Sequence, residues 1–195
     1  GVRHEAPVRG AGHAGLALNE PAVRRDLLRH ERAFGRRLCT GARRGYEQVG
    51  REEAVALDLA GSDAPVLEPP LGIRIVSRAE VPGVVEGMYE VAREAEPDIP
   101  GEDRVRPFDV WRSTEIDRPS LRPELTFVAL AGDEVVGYAI LDTLGGELWH
   151  RLTGVKRAWR GRGIATALKR AQIDAARQSG LERLVTTNEA RNLAM

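Results

Sequence analysis

One cysteine, Cys39, occurs in 195 residues, which excludes an intrachain disulfide and a thiolate metal cluster. It falls on a predicted helix or turn and reads as an ordinary thiol. A lone thiol fits a reducing compartment, so the expected location is the cytoplasm, and no metal is expected. No apolar run approaches the roughly 18 residues that a membrane span needs, and Gly1 to Glu20 lacks the apolar stretch of a signal peptide. Net charge is missing too, because 29 Lys and Arg face 29 Asp and Glu. Nothing global therefore points to nucleic acid or to an anionic membrane as a partner. Aromatic residues make up 5% of the chain. The basic stretch from Arg24 to Arg44 alternates with acids, carries little aromatic interleaving, and reads as a solvated face.

What is present is an ordinary globular composition, 42% hydrophobic and 30% charged, long enough for one domain with an appendage or for two small domains. Gly1 to about Asn19 has no clear period and reads as loop. From Pro21 to Leu38 the spacing of Val23, Leu27, Leu28 and Phe34 predicts an amphipathic helix. Gly45 to Ala60 reads as strand, turn and strand, with Val55, Leu57 and Leu59 alternating. "GSDAPVLEPPLG", Gly61 to Gly72, with three prolines and three glycines or serines, is the best linker. Beyond it the pattern predicts a strand at Ile73–Ser77, a helix at Glu80–Ala95, a short helix at Phe108–Ile116, and strands at Leu125–Leu130 and Val135–Leu141 joined by "AGDE". A strand at Glu147–Val155, a helix at Gly163–Ser179 stopped by Gly180, and a strand at Leu181–Thr187 follow. The fold class is α+β, with a mixed, mostly antiparallel sheet flanked by helices.

Charge is unevenly placed. Arg151 to Met195 carries ten Lys or Arg against Asp174, Glu182 and Glu189. Within it "RAWRGRGIATALKRA", Arg157 to Ala171, joins a strand to a helix. At such a junction the first backbone amides lack partners in the helix and the dipole is positive, so an anion is favoured there. Gly161 and Gly163 would let a phosphate approach the backbone, and Arg160 and Arg162 would add charge-assisted bonds. Ile164, Ala167, Leu168, Ala171 and Ala175 supply a buried face to hold the turn. A Walker loop would need Lys and then Ser or Thr after the last glycine, where Ile164 and Ala165 stand. A dinucleotide fingerprint would need glycine at Thr166 and a place at the start of the domain.

"RGRGIA" resembles the pyrophosphate loop of the Gcn5-related N-acetyltransferase (GNAT) family, Gln or Arg, two residues, Gly, one residue, Gly or Ala, through Arg160, Gly163 and Ala165. "LTGVKRAW" resembles the family's central strand, and "LVTTNEARNLAM" its next strand and following helix. The element order from Ile73 to Met195 is similar to that fold as well, without its last helix and final strands. "RRGYEQVGREEAVALDLA" resembles the end of another such domain. The resemblance implies a remnant of a first domain over residues 1–60, a linker over 61–72 and a second domain over 73–195, a piece of a tandem protein. The other reading has Arg24 to Ala60 closing the sheet of the second domain, which would bring Tyr46 near the site.

The resemblance implies transfer of an acetyl or other acyl group from acyl-CoA, the cosubstrate, to a primary amine of a small molecule or peptide, by direct attack in a ternary complex. Its alternative is a non-catalytic acyl-CoA-binding or interaction module. Amides from Arg160 through Gly161, Arg162, Gly163, Ile164 and Ala165 to Thr166 would hold the pyrophosphate. Thr153 and Val155 would pair with pantetheine, and Asn188 and Asn192 would add cofactor contacts. An amine of pKa about 10.4 is neutral about once in 2,500 at pH 7, which costs about 4.6 kcal/mol, so a base is useful. The candidates are Glu147 and His150, whose side chains point to opposite faces unless a bulge intervenes. The family's usual acid, a tyrosine in the helix after Asn188, has no counterpart before Met195. Trp111 and Phe108 either line the acceptor pocket or pack in the core, and monomer and homodimer both stay open.

Overall fold

The computed structural model describes residues 52–60, 65–99 and 105–189. Its elements are β1 (Glu52–Asp58), β2 (Arg74–Ser77), α1 (Val85–Ala95), α2 (Phe108–Trp111), β3 (Phe127–Ala131), β4 (Glu134–Leu144), β5 (Glu147–Val155), α3 (Ile164–Gln178) and β6 (Arg183–Glu189). The strands form one six-stranded sheet in the order β1-β6-β5-β4-β3-β2. Every neighbouring pair is antiparallel except β5 and β6. The exception follows from connectivity, because α3 carries the chain back across the sheet between them, as a parallel pair requires.

β4 explains the layering. Its residues Val135 to Asp142 are all buried, and a strand reads as a continuous apolar run when both its faces are covered. On one face α1 buries Val85, Met88, Val91 and Ala92 against Trp111, Val128, Tyr138 and Ile140. On the other, α3 buries Ile164, Ala167, Leu168, Ala171, Gln172 and Ala176. Ile164 and Leu168 meet Val136, Ala139 and Val155, while Ala176 meets Leu141, Leu148 and Leu184.

Element boundaries depart from the sequence pattern where turn chemistry intervenes. The helix expected from Glu80 begins at Val85, because Pro82–Val84 forms a 3-10 turn; Pro82 lacks an N–H and Gly83 is a poor helix former. The strand expected from Leu125 begins at Phe127, since Pro123–Leu125 is a second such turn with Leu125 buried. The predicted helix at Pro21–Leu38, Cys39, Tyr46 and the first strand after Gly45 lie outside the described residues.

β1 pairs with β6 over seven residues, from Glu52 opposite Glu189 to Asp58 opposite Arg183. Residues on both sides of the 61–72 segment therefore share one sheet, with β1 and β2 at its opposite edges. The described part of the connection runs along α3, where Arg170 Nη1 donates to the Val66 carbonyl at 3.2 Å. Arg177 Nη1 donates to the Leu59 carbonyl at 2.8 Å, and the Leu59 amide donates to the Glu182 carbonyl at 2.9 Å.

Leu168, fully buried between α3 and the sheet, tests this packing. Leu168→Ala is expected to lower unfolding stability by about 2–5 kcal/mol through the cavity it leaves, measured by denaturant titration followed by tryptophan fluorescence.

Candidate functional site

The site begins with a register error. β4 and β5 pair as Ile140 with Leu152 and Leu141 with His150, so Arg151 is an extra residue, a β-bulge. Before it, β5 also pairs with β6, through Leu148, Trp149 and His150 only. After it, β5 runs on to Val155 while β6 continues beside β1 alone. A wedge-shaped gap thus opens between the carboxyl ends of two parallel strands, the place where ligands settle in open sheets. The Lys156 amide donates to the Val136 carbonyl at 2.9 Å, so the neighbouring pair of Val155 with Gly137 is of the non-hydrogen-bonded kind. The peptide groups of Val155, and of Thr153 two residues before it, therefore face the gap. Gly154 between them lies tight against α1, where a Cβ would sit 3.3 Å from Ala95, Val91 and Tyr138.

At the mouth of the gap the chain turns into α3. Gly161 and Gly163 take φ of 72° and 81°, a left-handed conformation that side chains disfavour. The first bond of the helix runs from the Ala167 amide to the Gly163 carbonyl at 3.0 Å, so the amides of Ile164, Ala165 and Thr166 stand ahead of it. The N-cap Gly163 supplies no side-chain cap, and the first turn holds no acid. The positive end of the helix is left for a ligand to meet.

The arginines of the turn behave differently from one another. Arg160 reaches back along the strand: its Nε donates to the Val155 carbonyl at 3.0 Å and its Nη1 pairs with Asp98 at 2.6 Å. Arg157 pairs with the same Asp98 at 3.0 Å, and its amide donates to Glu94 Oε2 at 2.8 Å. Hydrogen bonds from Arg160 and then Arg157 hold the Asp98 carboxyl below its usual range. Arg162 lies over the Trp159 ring at 4.7 Å and donates to the Ala158 carbonyl at 3.1 Å. Arg157 and Arg160 are thus tied to the end of α1 and Arg162 to the turn itself, and the open positions are backbone amides.

His150 and Glu147 do point to opposite faces, because the bulge comes after both. His150 lies on the α3 side, with Nε2 and the Thr153 hydroxyl 2.7 Å apart. Residues three apart in a regular strand would diverge, and the extra residue Arg151 is what lets these two meet. Burial, then the charge of Lys169, lowers the His150 pKa to about 4 against a partial upward pull from Gln172. Glu147, at the far end of β5, pairs with Arg183 at 3.1 Å. Asn188 belongs to the β6 backbone opposite Glu53, and Asn192 lies outside the described residues.

The α1 face holds residues that the sequence did not single out. Arg151 Nε and Nη2 grip the two Glu115 oxygens at 2.7 and 3.1 Å. Arg106 bridges Glu115 at 2.9 Å and Glu96 at 2.7 Å. Both carboxylates are buried. Burial pushes the Glu115 carboxyl up, but Arg151 and then Arg106 outweigh it and leave it below its usual range. A cavity of about 590 Å³ opens beside this cluster, lined by Tyr89, Glu90, Arg93, Glu94, Val105 and Arg106. Trp111 is fully buried and packs behind Tyr89 at 5.4 Å, so its role is the core; Phe108 packs against the same ring at 5.2 Å. Burial, with Glu96 and Glu115 adding to it, raises the Tyr138 hydroxyl well above its usual pKa.

Comparison with known proteins bears on the fold and the family. The family model described as "Acetyltransferase (GNAT) family" matches residues 85–195. A GCN5-related N-acetyltransferase from Sphaerobacter thermophilus superposes with a TM-score of 0.66 at 27% identity, over 81% of this chain and 48% of that one. A tandem GNAT protein from the clavulanic acid biosynthesis pathway gives 0.53 at 19%, over 80% and 50%. The ribosomal-protein-S18-alanine N-acetyltransferase from Escherichia coli gives 0.50 at 16%, over 63% and 70%. The chain spans about half the length of the first two. No curated protein matches it in sequence.

His150 provides a pH test. Its folded pKa lies below the unfolded value of about 6.5, so between about pH 6.5 and 4 the unfolded chain binds the extra proton. Stability should therefore fall as pH drops through that window. In His150→Gln the slope of unfolding free energy against pH is expected to flatten there, measured by urea titration at half-unit steps.

Proposed function

The chain belongs to the GNAT acetyltransferase family, and on that premise we propose that it transfers an acyl group from acyl-CoA to a primary amine by direct attack within a ternary complex. The observation that carries the reading is the meeting of two features at one point. The gap after His150 exposes the peptide groups of Thr153 and Val155, and it opens directly onto the uncapped first turn of α3. One cofactor shape, a linear amide-bearing arm attached to a pyrophosphate, spans both.

The residues divide the work accordingly. Amides of Ile164, Ala165 and Thr166 receive the pyrophosphate, with Gly161 and Gly163 leaving room for it. Thr153 and Val155 align the arm; because the Val155 carbonyl already accepts from Arg160, its amide is the group offered to the cofactor. Arg160 acts through Asp98 and Val155, bracing the turn, while Arg162 stays at its rim. By the family resemblance, Asn188 and Asn192 add further cofactor contacts. Once the thioester is in place, the amine nitrogen bonds to the carbonyl carbon, the carbon–sulfur bond breaks, and the amine proton ends on the departing thiolate.

Of the two candidate bases, we carry His150 into the reaction. It directly precedes the bulge and hydrogen-bonds Thr153, whereas Glu147 is held by Arg183. A pKa of about 4 keeps the imidazole neutral and able to accept a proton at pH 7, yet makes it a weak base. Most of the cost of neutralising the amine is then met by desolvation as the amine enters the gap. The pairing of β1 with β6 supports the reading in which the segment before residues 61–72 closes this sheet, beside the reading of residues 1–60 as the remnant of a first domain.

Calorimetry with acetyl-CoA tests the reading. Micromolar or tighter binding is expected, weakened at least tenfold in Gly163→Glu, which puts a side chain at φ 81° and a carboxylate into the cradle; tenfold corresponds to about 1.4 kcal/mol. Absence of binding to the unsubstituted chain would overturn it. Thiol release that depends on an added amine supports the transferase, and binding without release across an amine panel supports the non-catalytic module.

A further inference from the structure

Two irregular turns face each other across the α1 side of the sheet. One is the bulge at Arg151 on β5. The other is the π-helical stretch Arg112–Ile116 that follows α2, closed by a bond from the Asp117 amide to the Arg112 carbonyl at 2.9 Å. Each inserts one extra residue into a regular element, and such insertions re-aim side chains and recur next to functional sites. The π-turn places two consecutive residues, Glu115 and Ile116, in the interior. The bulge turns Arg151 and Leu152 toward the same face, Leu152 into the apolar core and Arg151 onto Glu115. The two irregularities are joined by a two-pronged guanidinium–carboxylate contact at 2.7 and 3.1 Å.

We propose that Arg151 and Glu115 are positioning residues, a strut that fixes the bulge and thereby the direction in which the Thr153 and Val155 peptide groups present themselves to the thioester end of the cofactor. The inference rests on the acyl-CoA reading of the site and goes beyond it, because neither side chain touches the cradle. Arg151 is the first residue beyond the β5–β6 pairing. From there on β5 has no strand on its β6 side among the described residues, so its peptide planes there are held by β4, by Arg160 Nε at the Val155 carbonyl, and by what its side chains grip. Arg106 completes the anchor by binding Glu115 from the other side and tying it to Glu96 at the end of α1. A strut of this kind needs geometry as well as charge. A guanidinium holds both carboxylate oxygens and fixes an angle, whereas an ammonium holds one point.

The fragment and the whole cofactor separate a strut from general stability. Adenosine 3′,5′-bisphosphate and acetyl-CoA are titrated by calorimetry against the unsubstituted chain, Arg151→Lys and Arg151→Met. Arg151→Lys keeps a charge opposite Glu115, so it retains the fold even where Arg151→Met does not. In Arg151→Lys the affinity for the bisphosphate should stay within about twofold, because the cradle is untouched. The extra affinity that acetyl-CoA has over the bisphosphate should fall about tenfold, and amine-dependent turnover should fall with it at unchanged KM for the amine. The inference is overturned if both ligands weaken equally, if neither changes, or if Arg151→Lys matches the unsubstituted chain in all three readouts. Failure of the unsubstituted chain to bind either ligand removes the acyl-CoA reading, and the strut with it. Binding of the bisphosphate alone, with no gain from the rest of acetyl-CoA, removes the strut and leaves the cradle.

Discussion

Parallel pairing of β5 with β6 ends at His150, and the arrangement of the site depends on that early end. A parallel ladder that ran the full length of β5 would spend the peptide groups of Thr153 and Val155 on β6 and leave nothing for a ligand. Three paired residues hold the strands together at one end. A bulge at the next residue turns β5 aside. The sheet still has to be stable with a gap in it, and two features supply this. β4 is buried along Val135 to Asp142 and packs against α1 on one face and α3 on the other. β1 lies against the outer side of β6 over its whole length, so β6 keeps its shape where β5 has left it.

Charge is arranged around the gap in two tiers. On the α1 side buried carboxylates are matched by guanidinium groups, Glu115 by Arg151 and Arg106, and Glu96 by Arg106. A buried pair of this sort contributes little net stability compared with apolar packing, but removing one partner strands a charge in the interior. Its value lies in fixing geometry, which suits a strand whose neighbour is absent. At the mouth of the gap the arginines lean away from the helix end, Arg157 and Arg160 toward Asp98. The amides at the start of α3 are then the groups left open there.

How much of this was legible in the sequence depended on distance along the chain. The glycine turn and the helix start were readable because what forms them is local: two glycines and an apolar helix face within "RAWRGRGIATALKRA", directly after the strand that ends at Val155. Thr153 and Val155 came from the resemblance of "LTGVKRAW" to the family's central strand, and the opposed directions of Glu147 and His150 from strand alternation. The bulge was not, since "LWHRLTG" carries no Gly or Pro where register slips, and the slip shows only against β4. The Glu115–Arg151 pair joins residues 36 apart through a π-turn that no spacing rule announces. Arg160 was assigned to the ligand by its place in the motif, whereas its guanidinium reaches back to Val155 and Asp98. The seating of β1 beside β6 could not be chosen from sequence, because an alternating strand fits equally well into either of two sheets.

Amide hydrogen exchange, read residue by residue with and without saturating acetyl-CoA, tests the central claim most directly. Bound cofactor should slow exchange at Thr153, Val155 and Ile164 to Thr166 by tenfold or more, while Leu148 to His150, already paired with β6, change little. Equal exchange in both states at Thr153, Val155 and the first turn of α3 would contradict the account, since the gap and the cradle would then not be where the cofactor sits.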